Sequence, residues 1–188
     1  TQLSIYNVYS EDLEYDYSVE SAWLDAFTVA LKLLTVRHKL SGPATVIIPG
    51  DQLLTKTIRI PQVAKDKRKQ IIAFEAQQSI PYALDEVVWD SQVVGDDGIE
   101  TEVLFIACKA ETIYDLCNSI SGLGLQVEAV SAATILDYNS LQYTEGELNQ
   151  DLLSVNIGAR STNLLFANAN GFFARNIALG GNTLTQSI

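Results

Sequence analysis

The chain has 188 residues, a formal net charge of −11 and 47% hydrophobic residues. This composition is typical of a globular protein with enough apolar side chains for one or two cores. The excess of acidic residues argues against nucleic-acid binding, because phosphate contacts need clustered Lys and Arg. No apolar run reaches the roughly 20 residues that a membrane-spanning helix needs, so any membrane association is expected to be peripheral or through a partner.

Residues that often carry catalytic or metal chemistry are few. The chain has one histidine, His38, and two cysteines, Cys108 and Cys117. His38 has no nucleophile or carboxylate pattern around it, and the cysteines lack metal-ligand spacing. We therefore predict no catalytic residue, no metal site, and two buried free thiols in a reducing cytoplasm. The one basic cluster, residues 65–69, is interpreted as a solvated helical turn, with a contact to anionic lipid or an acidic partner as the alternative.

In chain order, the first predicted element is an amphipathic helix over residues 19–38, whose apolar residues recur at helical spacing. Ser41-Gly42-Pro43 ends it. A short apolar strand follows at 44–48, of the kind that is buried on both faces in an α/β sheet.

From residue 50 the pattern predicts a β-α-β-β-α-β unit. Its elements are a strand at 56–60, a helix at 65–79 that Pro81 prevents from continuing, strands at 86–94 and 102–108 joined by Gly95-Asp96-Asp97-Gly98, a helix at 111–121 and a strand at 125–130. Two helices against a small sheet are expected to form an inserted module rather than part of the surrounding strand-helix core.

A further helix is predicted at 132–142, and an acidic segment separates it from three apolar strands at 151–156, 163–167 and 172–177. The last two strands are joined by Asn168-Ala169-Asn170-Gly171, in which the Asn-Gly pair favours a hairpin turn. The final residues, GGNTLTQSI, indicate the start of a helix with Thr183 as a candidate N-cap. Because the chain also contains no Met, we expect it to be a piece of a longer protein.

The turn Gly158-Ala159-Arg160-Ser161-Thr162 joins two of these strands. A glycine at the end of a buried strand, followed closely by Ser161 and Thr162, lets backbone amides and hydroxyls approach an anion. Many hairpins carry the same residue types at their tips. From these residues alone, a phosphate site and a plain turn both remain open.

This stretch resembles the Asp-x-Gly-x-x-(Ser/Thr)-Thr phosphate turn of the actin and Hsp70 superfamily. Further stretches are similar to PilM, the actin-like family of type IV pilus assembly that is related to the cell-division protein FtsA. They are Val46–Gly50, Thr57–Pro61, Phe74–Ala76 with Ser79–Pro81, Trp89-Asp90 and Phe173–Gly181. The resemblance covers roughly residues 18–188. It implies an α/β, actin-like (ribonuclease H-like) ATPase fold, partial, with an α+β inserted subdomain of the FtsA and PilM type.

The resemblance also implies a division into four parts. Residues 1–49 are the remainder of the first core subdomain, 50–130 the inserted subdomain, 131–150 a connecting helix and linker, and 151–188 the start of the second core domain. The family's N-terminal phosphate turn has no counterpart, because residues 1–17 contain no glycine. The chain also ends before the adenine-contacting segments, so we expect it to supply only one side of a nucleotide cleft.

In the full-length protein the resemblance implies binding of ATP and Mg²⁺, whereas we expect no nucleotide on this fragment. The residues that it assigns to the nucleotide are Asn156, Gly158, Ser161, Thr162, Gly180 and Gly181. Asn156 stands where the family usually has Asp, and a neutral amide supplies no charge to a hard cation. We therefore expect a nucleotide-binding scaffold rather than an active ATPase.

The partner implied by the resemblance is a PilN-like inner-membrane protein, whose short cytoplasmic N-terminal peptide docks between the first core subdomain and the inserted module. This places the chain in the cytoplasm. We predict that Ile80, Pro81 and Tyr82 lie near this groove, the alternative being a helix end that packs on its own sheet. Self-association is left open. The other functions considered are a type II secretion platform, an FtsA-like filament former and an active ATPase of the Hsp70 and sugar-kinase kind.

Overall fold

A computed structural model of the protein describes residues 4–16, 19, 22–169 and 171–186. Its helices are α1 Ala22–His38, α2 Lys65–Ser79, α3 Ala110–Gly122, α4 Ala133–Glu145 and α5 Gly181–Gln186. Its strands are β1 Gly42–Ile48, β2 Leu54–Pro61, β3 Val87–Asp96, β4 Glu100–Lys109, β5 Leu125–Ala132, β6 Leu152–Ile157, β7 Thr162–Asn168 and β8 Gly171–Ile177. Every helix and strand predicted from the sequence is present, with bounds that differ by a few residues. In the part of the chain that is described, no helix has both the length and the apolarity to cross a membrane.

The described residues group into two compact units, of which the first is Thr1–Val46 with Thr112–Ala129. In this unit β1 pairs with β5 in a two-stranded sheet. α1 ends at His38, and the next residue, Lys39, leaves the helical conformation with φ 54°. Residues 4–16 contain neither helix nor strand. They are held to α1 by Tyr9, whose ring stacks on His38 with 3.7 Å between centroids.

The second unit, Ile47–Glu111 with Val130–Ile188, contains an antiparallel sheet of order β2-β4-β3. α2 covers one face of this sheet, because its apolar residues Ile72 and Ala76 recur at helical spacing and are buried. They pack against alternate residues of the strands. The buried cluster comprises Ile58, Ile60, Ile72, Ala76, Ile80, Val87, Val103, Phe105 and Ala107.

The turn between β3 and β4 lies at the end of the predicted connection Gly95-Asp96-Asp97-Gly98. The register pairs Asp96 with Thr101, and the N–H of Asp97 donates to the carbonyl of Glu100 at 3.2 Å. Gly98 and Ile99 are therefore the central residues, and the positive φ of 84° falls on Gly98. A glycine with positive φ in the first central position is typical of a type II′ hairpin.

The other sheet of this unit has the order β6-β7-β8 and is also antiparallel. One of its faces packs against α4 and against residues of β3 and β4. Leu104 belongs to this second cluster, while its neighbours Val103 and Phe105 belong to the first. β4 is thus buried on both faces, which explains its almost continuous apolar run. The buried residues of the second cluster are Val94, Leu104, Leu148, Leu165, Ala167, Phe172 and Ala174.

The hairpin between β7 and β8 pairs Asn168 with Gly171. Gly171 has φ 150°, and its backbone lies so close to Val94 that an added Cβ would overlap the Val94 carbonyl oxygen. Glycine is therefore needed here for close approach of two strands. The Asn-Gly turn prediction depends on Asn170, which lies outside the described residues.

Both cysteines are free thiols, but they differ in burial. Cys108 on β4 is buried, and this burial raises the pKa of its thiol. Cys117 on α3 is only half-buried. The prediction of free thiols is confirmed, and the prediction that both are buried is wrong for Cys117.

The N-cap prediction for Thr183 is wrong, because α5 already begins at Gly181. The N–H groups of Gly181 and Asn182, which open this helix, donate instead to carbonyl groups of the turn between β6 and β7. The first turn of α5 is therefore satisfied by another backbone segment rather than by a side-chain cap.

Candidate functional site

Five of the six residues assigned to a nucleotide lie at the turn between β6 and β7 and at the start of α5. The turn is closed by the N–H of Gly158, which donates to the Ser161 carbonyl at 2.9 Å. The N–H groups of Gly181 and Asn182 donate to the carbonyls of Gly158 and Ala159 at 2.8 and 2.9 Å. The start of α5 is therefore bonded directly to the turn.

Gly180 makes this approach sterically feasible. A Cβ at this position would lie 2.5 Å from the carbonyl oxygen of Ala159. A Cβ on Gly158 would lie 3.1 Å from the Ser161 carbonyl oxygen. Any larger residue at Gly180 would push α5 away from the turn, so this glycine serves close backbone packing.

The hydroxyl groups of the turn have different roles. Thr162 is buried, and its Oγ1 donates to the carbonyl of Leu179 at 2.7 Å. Thr162 therefore holds β7 to the segment before α5. Ser161 is only half-buried, and among the described residues its hydroxyl has no protein partner. The backbone N–H groups of Ala159 and Ser161 likewise donate to no acceptor in the described part of the chain.

A row of three asparagines crosses the sheet beside this turn. The register pairs Asn156 with Asn163 and Asn163 with Asn176, and Asn176 Nδ2 donates to Asn163 Oδ1 at 2.7 Å. Gly50 packs against the last two amides. Its added Cβ would overlap Asn163 Oδ1 and lie 2.6 Å from Asn176 Nδ2. Sequence reasoning missed Asn163 and Asn176, although each lies near one end of a strand with an apolar middle.

Asn156, the sixth assigned residue, contacts a carboxylate on α4. Its Nδ2 lies 3.2 Å from Oδ1 and 3.4 Å from Oδ2 of Asp137. The negative charge that Asn156 lacks is thus present beside it. Among the described residues, no group of three or more His, Cys, Asp or Glu side chains is placed to hold a metal ion. A Mg²⁺ ion here would take most of its ligands from water and phosphate.

An ion pair connects the turn to the residues that follow β1. Arg160 Nη1 lies 3.4 Å from Oδ2 of Asp51, whose side chain is 16% exposed against 39% for Arg160. Gln52 Nε2 also donates to Asp51 Oδ2, at 3.2 Å. Asp51 and Gln52 belong to the short 3₁₀ turn Gly50–Gln52. Sequence reasoning assigned no role to Asp51 or Arg160.

The donors gathered at this turn fit a phosphate group. They are two backbone N–H groups, the Ser161 hydroxyl and the guanidinium of Arg160. Asp137 is an oxygen ligand of the kind that Mg²⁺ prefers. The residues present are therefore chemically compatible with a magnesium-bound polyphosphate.

The three residues predicted to lie near a partner groove differ in exposure. Ile80 caps the C-terminus of α2 and is buried in the cluster beneath that helix. Pro81 and Tyr82 are exposed, and Lys109 Nζ lies 5.8 Å from the centroid of the Tyr82 ring. Only Pro81 and Tyr82 thus offer side-chain surface, whereas Ile80 packs on its own sheet.

Together with the solved structures that share this arrangement, the strand order and the bonded start of α5 define an α/β protein with a partial actin-like ATPase fold. The chain belongs to the family of type IV pilus assembly protein PilM, whose family model matches residues 1–188. The predicted family resemblance is confirmed by this match.

Solved structures with the same fold include the PilM-PilN type IV pilus biogenesis complex. It matches with a TM-score of 0.76 at 20% sequence identity, over 89% of this chain and 52% of that chain. The cytoplasmic domain of EpsL, an inner membrane component of the type II secretion system of Vibrio cholerae, matches with a TM-score of 0.55 at 11% identity, over 79% of this chain and 56% of that chain. The chain therefore spans about half the length of these relatives.

Proposed function

We propose that the full-length protein is a cytoplasmic actin-like scaffold of a type IV pilus assembly machine. In this role it docks the cytoplasmic N-terminal peptide of a PilN-like inner-membrane protein, which brings it to the membrane. The observation that carries the proposal is the PilM family match over residues 1–188. The structural similarity to a PilM-PilN complex supports the choice of partner.

Pro81 and Tyr82 are the proposed peptide contacts on this chain. They stand exposed between the end of α2 and the start of β3, and the Tyr82 side chain is neither fully packed nor fully solvated. A partly exposed aromatic ring is the kind of group that anchors a short peptide, because it buries a large apolar area at low entropic cost. The net charge of −11 favours a basic peptide over an acidic one.

Fluorescence polarisation with the labelled N-terminal peptide of the PilN-like protein tests this docking site. Tyr82→Glu is expected to weaken binding at least about tenfold, as is typical when a central aromatic anchor is lost. Phe74→Glu is the matched control, since Phe74 on α2 is also an exposed aromatic residue. Ile80 is unsuitable for the test, because a charge at this buried position would disrupt the core. Equal effects of the two variants would place the peptide elsewhere.

We further propose that Mg-ATP is a structural or regulatory ligand of the full-length protein. The N–H groups of Ala159 and Ser161 and the Ser161 hydroxyl would bind its phosphates, and Gly180 and Gly181 would keep the turn and α5 together. Asn156 and Asp137 would face the water shell of the cation. When bound, Mg-ATP would bring negatively charged phosphates and a Mg²⁺ ion to the turn. The backbone N–H groups of the turn are of the kind that bind such anions.

Titration calorimetry with Mg-ATP tests nucleotide binding. We expect binding by the full-length protein and no detectable binding by residues 1–188 alone, because these residues contain no counterpart of the N-terminal phosphate turn that the family resemblance implies. Micromolar affinity of the 188-residue chain would show that one turn is sufficient. Absence of binding by the full-length protein would remove ATP from the proposed function.

A second candidate function is a cytoplasmic platform of a type II secretion system, because the EpsL cytoplasmic domain has the same fold. Its lower TM-score and the PilM family match favour the pilus function. Co-purification of the full-length protein from its host separates the two, since each predicts a different inner-membrane partner.

A further inference from the structure

We propose that Arg160 is a phosphate-binding side chain and that Asp51 is the internal anion that occupies it when phosphate is absent. The inference rests on the proposed binding of a nucleotide at the turn between β6 and β7. It adds one residue to that site and identifies a built-in competitor for it. The ligand class is a polyphosphate, with Mg-ATP as the probe.

Arg160 is placed within the donor set of the turn. It stands between Ala159 and Ser161, whose N–H groups donate to no acceptor among the described residues. Its side chain is 39% exposed, so an anion that reaches the turn from solvent also reaches this side chain. The N–H donors of the Arg160 guanidinium can bind two oxygen atoms of a phosphate group. They can bind the two oxygen atoms of a carboxylate in the same way.

Asp51 is held in position by the packing around it. Gly50 lies directly against Asn163 and Asn176, with no room for a side chain between them. This contact fixes the 3₁₀ turn on the same sheet that carries the phosphate turn. Gln52 adds a hydrogen bond to Asp51 Oδ2. The carboxylate is therefore a fixed local charge and not a mobile surface group.

The length of the Arg160–Asp51 ion pair is compatible with Arg160 exchanging Asp51 for a phosphate group. The 3.4 Å separation of Arg160 Nη1 and Asp51 Oδ2 is longer than the roughly 2.7–2.9 Å of a strong charge-assisted hydrogen bond. A polyphosphate carries more negative charge than one carboxylate and can accept two parallel N–H groups from arginine. Phosphate binding would therefore draw Arg160 away from Asp51, and Asp51 lowers the apparent phosphate affinity by competing for the same cation.

Titration calorimetry of the full-length protein with Mg-ATP tests this competition in wild type, Arg160→Gln, Asp51→Asn and the double variant. Arg160→Gln is expected to weaken binding about tenfold, the usual loss for one charge-assisted contact. Asp51→Asn is expected to strengthen it several-fold. The double variant should bind like Arg160→Gln alone, because Asp51 acts through Arg160. Inorganic tripolyphosphate should give the same order of affinities, since the contact is to phosphate.

The sign of the Asp51→Asn effect distinguishes competition from a structural role. If the ion pair only braces the turn, both single variants weaken binding, which overturns the proposal. A gain from Asp51→Asn that persists in the Arg160→Gln background would indicate direct repulsion of the ligand and would also overturn it. Wild-type binding that neither variant changes removes Arg160 from the site but leaves the proposed nucleotide binding intact. If none of the four proteins binds Mg-ATP, both proposals fail.

Discussion

The side-chain amide of Asn156 donates to the carboxylate of Asp137, with 3.2 Å between Nδ2 and Oδ1. The family resemblance assigns Asp to the position of Asn156, and the structure shows that a carboxylate lies next to it in space. A neutral amide at this position therefore satisfies Asp137 without adding a second negative charge. If Mg²⁺ binds here as proposed, the amide offers it one carboxylate ligand fewer, and Asp137 still offers one.

Asn156→Asp should destabilise the protein in the absence of divalent cations. Two carboxylates would then face each other at hydrogen-bond distance, and like charges about 4 Å apart repel by about 1 kcal/mol in water. The expected result is a lower melting temperature in EDTA and recovery in Mg²⁺, both measured by circular dichroism at pH 7.

The control for this prediction is the double variant Asn156→Asp, Asp137→Asn, which has one carboxylate and one amide with their positions exchanged. It should melt near the wild type in EDTA and respond little to Mg²⁺. An Asn156→Asp variant that is as stable in EDTA as the wild type would show that the two side chains separate freely.

Gly50→Ala should destabilise the second unit, because the new Cβ would overlap Asn163 Oδ1 and crowd Asn176. Overpacking at such a site costs roughly 1–3 kcal/mol. Gly122→Ala is the matched control, since nothing lies within 4 Å of its added Cβ. Urea denaturation followed by far-ultraviolet circular dichroism measures both. Equal midpoints for Gly50→Ala and wild type would mean that the asparagine pair yields without cost.

The contacts of Gly50 also show which features of the fold could not be predicted from the sequence. The β3–β4 and β7–β8 hairpins were predictable, because each joins neighbouring strands through glycine-containing turns. The pairing of β1 with β5 and the fit of Gly50 to Asn163 and Asn176 join segments distant in sequence, which periodicity does not specify.

The same limit applies to the candidate site. The glycines of the site, Ser161 and Thr162 were predicted from local motifs. The Thr162 hydroxyl, however, donates to the Leu179 carbonyl. Asp51 and Asp137 come from other elements, and only the fold brings them to Arg160 and Asn156. The predicted domain boundaries and ligand roles remain predictions.

Asp97 should stabilise the β3–β4 hairpin fully above about pH 4, and this stabilisation should be lost progressively as the pH falls further. Its pKa is lowered from the ordinary value of 3.8, because the carboxylate accepts the N–H groups of Glu100 and Ile99 at 2.7 and 2.9 Å. A depressed pKa in the folded state gives a stabilisation that is present above the unfolded-state value and lost as pH falls through the folded-state value. The melting-temperature gap between wild type and Asp97→Ala should therefore be constant from pH 7 to 5 and close at lower pH.

Asp85→Ala provides the comparison for the pH series, since the Asp85 carboxylate accepts no hydrogen bond among the described residues. Its melting temperature should track that of the wild type over the whole range. A gap for Asp97→Ala that stays constant down to pH 2 would mean that the turn does not depend on the ionised carboxylate.

The proposed partner of this PilM family member is the cytoplasmic segment of a PilN-like protein. The most direct measurement is the affinity of the full-length protein for two labelled peptides in parallel, by fluorescence polarisation. One is the N-terminal cytoplasmic peptide of the PilN-like protein from the same organism, and the other has the same composition in scrambled order. Saturable binding of the native peptide, at least about tenfold tighter than the scrambled one, is the predicted result. Equal affinity for both peptides, or no binding of the native peptide, would rule out sequence-specific recognition of the PilN-like segment by this protein.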